Sequence, residues 1–281
     1  MRIVGAAYDG VVPVRVLTWN LWWRFGPWEQ RATAIRQTLL NANADVICLQ
    51  EVWASEGGVD QVGELAEALG MSYGRTPSPY WQGYSFGNAI LSRWPILGID
   101  NFALPGKSGA PGHRSLLLAS LAAPFGVMPV ACTHIDYLFD QSELRLRQLR
   151  AVAQHCTDSR PDPESSFPVV LCGDLNAVPD SDEIRALTGR TAPLAPGLVF
   201  QDCWELAGDG SGYTWSSRNP YLADATWPNR RLDYILLSWP RPKGLGKPLA
   251  IELVGTNDVN GVTPSDHYGV MVTLRTEAAP G

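Results

Sequence analysis

Short apolar runs that stop at a polar residue punctuate this chain from end to end. Residues 14–18 run into Asn20, residues 45–50 into Glu51, residues 127–132 into Thr133 and His134, and residues 169–172 into Gly173 and Asp174. Each run is shorter than the roughly ten residues a helix needs to bury a face, and valine and isoleucine recur in them, so they read as buried strands. Residues 88–91, 96–102, 115–121, 231–237 and 268–273 read the same way. Helical patterns lie between them. After Pro27, the residues Trp28, Ala32, Ile35 and Leu39 recur at helical spacing, and a second helix is expected over 58–69. Asp140 with Glu143, and Asp180 with Glu183, have the spacing of capping boxes; the first opens a helix whose Leu149, Val152, Ala153 and Cys156 share a face. The alternation predicts a layered α/β fold. With 281 residues, 45% of them apolar, the chain can bury a large core, and with no linker-like tract or internal repeat it is expected to form one domain over 1–281.

Several function classes are disfavoured. The opening stretch lacks the pattern of a secretory signal, because Arg2 is followed by a short mixed segment broken by Asp9. The charge-free run 115–133 could pass for a membrane span, but Pro124, Gly126 and Pro129 make it two strands and a turn. No membrane anchor is expected. The five cysteines form no CxxC pair, and Cys48, Cys132 and Cys172 sit in apolar runs as buried thiols, which suits a reducing cytoplasm. Twenty-two basic residues against 28 acidic give a formal charge of −6, and no basic cluster exceeds Arg230-Arg231. A strong sequence-independent grip on nucleic acid usually needs a basic face. A metal ion and a few arginines can still neutralise one phosphate.

Six short motifs fall in order beside these strands: Thr18-Trp19-Asn20, Leu49-Gln50-Glu51, Thr133-His134, Gly173-Asp174-Leu175-Asn176, Arg231-Leu232-Asp233-Tyr234 and Ser265-Asp266-His267. Singly, each has a plain structural explanation as a turn or a solvated strand end. Together, in this order and at these positions, they resemble the endonuclease/exonuclease/phosphatase superfamily from about residue 14 to residue 274. Arg147-Gln148, Pro179, Ser181 and Tyr213-Thr214-Trp215 add to the resemblance. It implies a four-layer α/β sandwich, with two mainly antiparallel sheets face to face and helices outside, and hydrolysis of phosphate esters with Mg²⁺ or Mn²⁺.

The residues themselves support that chemistry. Magnesium takes hard oxygen ligands, which makes Glu51 the expected primary ligand, with Asp266 and Asn20 assisting. Asp174 is expected to orient and deprotonate the attacking water, with Asn176 donating to the phosphate or the nucleophile. His267, oriented by Asp233, would face the phosphate, and His134 would stabilise developing charge or protonate the leaving oxygen. The resemblance also makes Arg114 a candidate phosphate contact. His113 and His155 match no motif, and Asp136 and Asp224 are expected in loops. Trp19, Trp94 and Trp204 read as core, whereas Trp22, Trp23, Trp53 and Trp227 flank site motifs and could line a pocket mouth.

Fold and motifs do not name a substrate. The acidic balance favours a compact phosphodiester or small phosphomonoester. A DNA endonuclease or exonuclease of the same superfamily is the alternative, and an inactive binding module on this fold is disfavoured because every motif residue is intact.

Overall fold

A computed structural model describes residues 12–108, 110–160, 162, 166–239 and 244–277. The opening stretch read above for a secretory signal lies outside them. The elements run β1 (Val14–Asn20), α1 (Trp28–Ala42), β2 (Val46–Val52), α2 (Gln61–Leu69), β3 (Ser72–Arg75), β4 (Gly87–Ser92), β5 (Ile96–Pro105), β6 (Pro111–Ala123), β7 (Gly126–His134), α3 (Ser142–Asp158), β8 (Val170–Asp174), α4 (Asp182–Leu187), β9 (Val199–Asp202), α5 (Cys203–Ala207), β10 (Asp233–Trp239), β11 (Pro248–Val254) and β12 (Gly269–Leu274). The run 115–133 is indeed a hairpin of β6 and β7 closed at Ala123 and Gly126. No helix among the described residues is long and apolar enough to cross a membrane.

The strands form two six-stranded sheets among the described residues, ordered β11-β12-β1-β2-β4-β3 and β5-β6-β7-β8-β10-β9. Strand alternation assigns the core. Val14 and Val16 of β1, with Cys48 and Ile90 of the same sheet, face Leu117, Cys132, Cys172 and Ile235 of the other, while Leu17 and Trp19 point outward and pack under α1 and α2. Leu149, Val152 and Cys156 of α3 cover the outer face of the second sheet. The result is the expected four layers. Each fully buried Leu, Ile or Val contributes roughly 1.5–3 kcal/mol relative to exposure. All five cysteines are buried in these layers.

Each sheet holds one parallel pair, β1 with β2 and β7 with β8, and the remaining pairs are antiparallel. This mixture positions the site. In the parallel pairs Asn20 lies opposite Gln50, and His134 opposite Asp174, so four strands end at the same edge. Antiparallel β10 begins there, with Asp233 opposite Asp174, and β12 begins just after Asp266-His267. The close approach of β7 and β8 requires Gly173, because a Cβ there would meet the carbonyl oxygen of Thr133. Gly173→Ala is expected to cost ~2 kcal/mol or more of stability, measured by urea unfolding. A midpoint equal to that of the wild type would refute the packing argument.

Several local expectations need correction. Neither expected capping box forms: α3 begins at Ser142 behind Gln141, and α4 at Asp182 behind Ser181, neither with a side-chain cap. The second helix starts later than expected because Asp60 caps it, accepting from the amides of Val62 and Gly63. On α1 the buried face runs through Arg31, Ala34, Ile35, Thr38 and Leu39, while Ala32 is exposed. Trp19 and Trp204 are core as expected, whereas Trp94 is half-buried and packs against the core from its rim.

Candidate active site

At the shared strand edge Asn20 is the hub. Its amide Nδ2 donates to Glu51 Oε1 at 3.2 Å and to Asp174 Oδ2 at 3.0 Å, and its Oδ1 accepts from the amide of Trp22. Asn20 thus binds the carboxylates together with its nitrogen, and the Trp22 amide takes one of the two lone pairs of its oxygen. Glu51 reaches inward because β2 slips register between Leu49 and Val52, with Glu51 itself at φ 55°. Trp22, Trp23 and Asn176 also have positive φ. Such conformations cost of order 1–3 kcal/mol each and persist where surrounding structure enforces them.

For Trp22 and Trp23 that enforcement comes from Arg31, which is fully buried and donates to the carbonyls of Leu21, Trp22, Trp23, Phe25 and Pro264. It ties the loop after Asn20 to the segment before Asp266. Sequence reading missed it, though a lone arginine on the buried face of an amphipathic helix was the available signal. Trp19 and Ser265 complete the frame. The Trp19 indole donates to the His267 carbonyl at 2.9 Å, and the Ser265 hydroxyl donates to the Asn20 carbonyl at 2.7 Å.

The two site histidines differ in charge. His267 Nδ1 lies 2.8 Å from Asp233 Oδ2, and its Nε2 lies 3.9 Å from Asp174 Oδ2. Burial opposes the charged ring, but Asp233, Asp266 and Asp174 outweigh it and hold its pKa well above the ordinary histidine value. For His134, burial comes first and the positive charges of Arg114 and His267 add to it, so its pKa lies well below the ordinary value and the ring is neutral. Asn176 Nδ2 sits 3.2 Å from His134 Nε2 and also donates to the Ile135 carbonyl. The orientation of the Asn176 amide assigns Nε2 as the acceptor and the proton to Nδ1, with Asp174 Oδ2 at 3.6 Å from Nε2. That Nδ1 lies 3.9 Å from Glu51 Oε1 and has no hydrogen bond among the described residues.

The carboxylates are crowded. Burial and then the charge of Asp233, opposed by His267, push Asp174 up to about 6. Burial, relieved in part by His267 and worsened by Glu51, pushes Asp266 up to about 6. Burial raises Glu51 as well, against the hydrogen bond from Asn20. Glu51 Oε2 is buried without a hydrogen bond among the described residues, and so is Nη1 of Arg114. Burial lowers the pKa of Arg114, while Glu51, Asp174 and Asp136 work against the shift; its guanidinium lies 5.9 Å from the Phe86 ring, which lies 6.1 Å from that of His134. Glu51 Oε2 is thus a buried acceptor and Arg114 Nη1 a buried donor, each costly if left unsatisfied.

All nine residues singled out by sequence converge here. Asp136 lies nearer than expected, acting on Arg114 while its Oδ1 accepts from the Leu138 amide. Asp224 is in an exposed loop. His155 stacks on Phe102 away from the site, at 3.7 Å between centroids. Trp53 is buried, and Trp227 is exposed and stacked on Phe139 at 4.1 Å. Phe86, which sequence reading did not select, has its ring 6.1 Å from that of His134.

Comparison with known proteins bears on family and fold. Residues 17–267 match the Endonuclease/Exonuclease/phosphatase family. Protein angel homolog 2 of Homo sapiens is 29% identical over 171 residues, covering 55% of this chain and 30% of that protein. Tyrosyl-DNA phosphodiesterase 2 of Xenopus laevis is 28% identical over 162 residues, covering 56% of this chain and 40% of that protein. These matches span less than half the length of either relative. The crystal structure of D. rerio TDP2 complexed with single strand DNA product superposes with a TM-score of 0.73 at 22% identity, covering 94% of this chain and 99% of that one.

Proposed function

This chain belongs to the endonuclease/exonuclease/phosphatase family, and on that premise we propose that it is a divalent-metal-dependent hydrolase of phosphate esters, working as one domain with an activated water. The observation that carries the reading is the pairing of unsatisfied groups: Glu51 Oε2 lacks a cation and Arg114 Nη1 lacks an anion. A metal ion and a phosphoryl group would satisfy both.

The donor set suits Mg²⁺ or Mn²⁺. Asp266 is buried and Glu51 half-buried with its Oε2 enclosed, so both offer hard oxygens in a site with excess negative charge, and no cysteine belongs to it. Asp174, Asp233 and His267 also bring potential ligand atoms within 4.8 Å of one another. We place the cation at Glu51 and Asp266 instead, because His267, paired with Asp233, is positively charged. When bound there, the ion supplies Lewis-acid polarisation of a phosphoryl oxygen.

The protein supplies the rest. Asp174 accepts the proton of the attacking water, its Oδ1 fixed by the Asn176 amide at 2.9 Å and its Oδ2 by Asn20. A base near pKa 6 balances availability against proton affinity at neutral pH. The charged His267, held by Asp233, presents Nε2–H to the phosphate and is the better proton donor to the leaving oxygen. Neutral His134 donates a hydrogen bond from Nδ1 without giving up its proton. Arg114 holds a non-bridging oxygen, with Asn176 orienting His134.

The preferred substrate class is a compact ester. Neutralising many phosphates requires many exposed cations, and each such contact steepens the salt dependence of binding. This chain has an acidic balance, with 22 basic residues against 28 acidic. The nuclease reading is kept because the D. rerio neighbour was crystallised with single strand DNA product. Turnover of small phosphodiesters and phosphomonoesters should be compared with that of duplex, nicked and single-stranded DNA across a salt series. Small esters are expected to turn over with weak salt dependence. Efficient DNA cleavage that falls steeply with salt, with negligible action on small esters, would establish the nuclease instead.

A further inference from the structure

A cleft of about 700 Å³ opens directly beside the site. Trp23, Phe25, Tyr80, Trp81 and Phe86 line it, and Arg114 lies at its inner end. The rings are continuous with the chemistry. Phe25 lies 5.4 Å from Trp23, Trp23 lies 6.3 Å from Phe86, and Phe86 lies 6.1 Å from His134, all between centroids. Arg114 is 5.9 Å from the Phe86 ring. Trp23 is pinned by its indole N–H, which donates to the Ser85 carbonyl at 2.8 Å.

Packing does not account for the outer rings. Trp81 is 65% exposed, Phe25 49% and Tyr80 43%, in a fold that buries most of its other large apolar side chains. A cluster of exposed rings rimming a concavity marks a ligand surface rather than core. Charge narrows the ligand further. Among the lining side chains Arg114 alone carries a fixed formal charge, and it stands at the end that meets the site. The cleft therefore suits one anionic group at its inner end and a neutral body along its length. Beyond that end, His113 lines the cleft, Arg24 stacks on Tyr84 at 3.4 Å from the ring centroid, and Arg75 beside Tyr80 is already paired with Asp60. Flat aromatic walls are complementary to a flat ring, which gains offset or edge-to-face contacts that an alkyl chain does not.

We propose that this cleft receives a planar aromatic ring carried by the phosphate ester, with the phosphoryl group held at the Arg114 end. The inference rests on the phosphoesterase reading for the placement of the phosphate. The ring could be joined directly to the ester oxygen, as in an aryl ester, or through a sugar, as in a nucleoside ester.

The test uses binding, so that it does not depend on turnover. Calorimetry of the Mg²⁺-loaded protein would compare phenylphosphonate and a nucleoside 5′-phosphonate with methylphosphonate. At least one ring-bearing ligand is expected to bind about tenfold or more tightly than methylphosphonate, and the tighter of the two identifies the linkage. Replacing Tyr80 and Trp81 together by alanine should erase most of that preference. Trp239→Ala, half exposed at the far end of β10 from Asp233, should leave it intact. Equal affinities for all three ligands in the wild-type protein would overturn the proposal, as would a preference that survives loss of both rings. A protein that hydrolyses no ester yet prefers the ring-bearing ligands would refute the phosphoesterase reading and leave the cleft standing. An active enzyme indifferent to the ring would refute the cleft alone.

Discussion

Exhaustive chelation is expected to abolish ester hydrolysis, and Mg²⁺ or Mn²⁺ to restore it. Glu51, Asp174 and Asp266 are gathered in a buried volume where burial alone raises each of them. The cations already present relieve this only in part. Arg31 is spent on five carbonyls behind the site, and His267 is paired with Asp233. Without a metal, a phosphate dianion would meet three carboxylates with only Arg114 and His267 to hold it. Loss of Lewis-acid stabilisation worth several kcal/mol corresponds to about 10³-fold or more in rate. The same carboxylates give a readout independent of activity. An ion at 100 times its dissociation constant adds about 2.7 kcal/mol to folding stability, so Mg²⁺ should raise the melting temperature by several degrees. Glu51→Gln should blunt that rise. Full turnover after EDTA, or a melting temperature indifferent to both ions, would remove the metal from the proposal.

Much of this arrangement was legible in the sequence because the site lies where strands end. A strand buried on both faces reads as a continuous apolar run, so its end is visible, and the residue at that end is a candidate for chemistry. Asn20, Glu51, His134 and Asp174 stand at or beside such ends, and the ordered motifs they belong to, with the family resemblance those carry, make them candidates. The helix starts were misread because Asp140 and Asp180 have the right spacing for caps, yet the chain turns inward one or two residues later. Strands β3, β9 and β11 were missed for a different reason. They lie at sheet edges, and β3 and β9 have only four residues each, too few for alternation to emerge. The aromatic cleft was only partly legible. Trp23 was a candidate, but Phe25, Tyr80, Trp81 and Phe86 come from two loops far apart in sequence, and only tertiary structure brings them together. Arg31 shows the limit of periodicity: the α1 pattern was phased on Ala32, which shifted the predicted face away from the arginine that organises the site loop.

Asp174→Asn should lower kcat by ~10²–10⁴-fold while changing substrate binding little. The substitution keeps the shape and removes the proton acceptor. It also places a new amide donor where Oδ2 now accepts from Asn20 at 3.0 Å, so the hub of the site loses a contact or the amide rotates away. The pH profile supplies a second signature. The wild-type base works deprotonated, so activity should rise with pH through an acid limb at or below about 6, lower to the extent that a bound cation favours the carboxylate. The variant should lack that limb. Stability should move in the opposite direction from rate. A carboxyl whose pKa is raised from 3.8 to about 6 by burial is destabilising while ionised, so at neutral pH its replacement by a neutral amide should stabilise the metal-free protein. The gain is bounded by the lost Asn20 contact and should appear as a higher urea midpoint. A variant both slower and more stable marks a group retained for chemistry at the expense of the fold. Near-wild-type kcat at saturating substrate would instead make Asp174 a structural residue, and the base would have to be sought elsewhere.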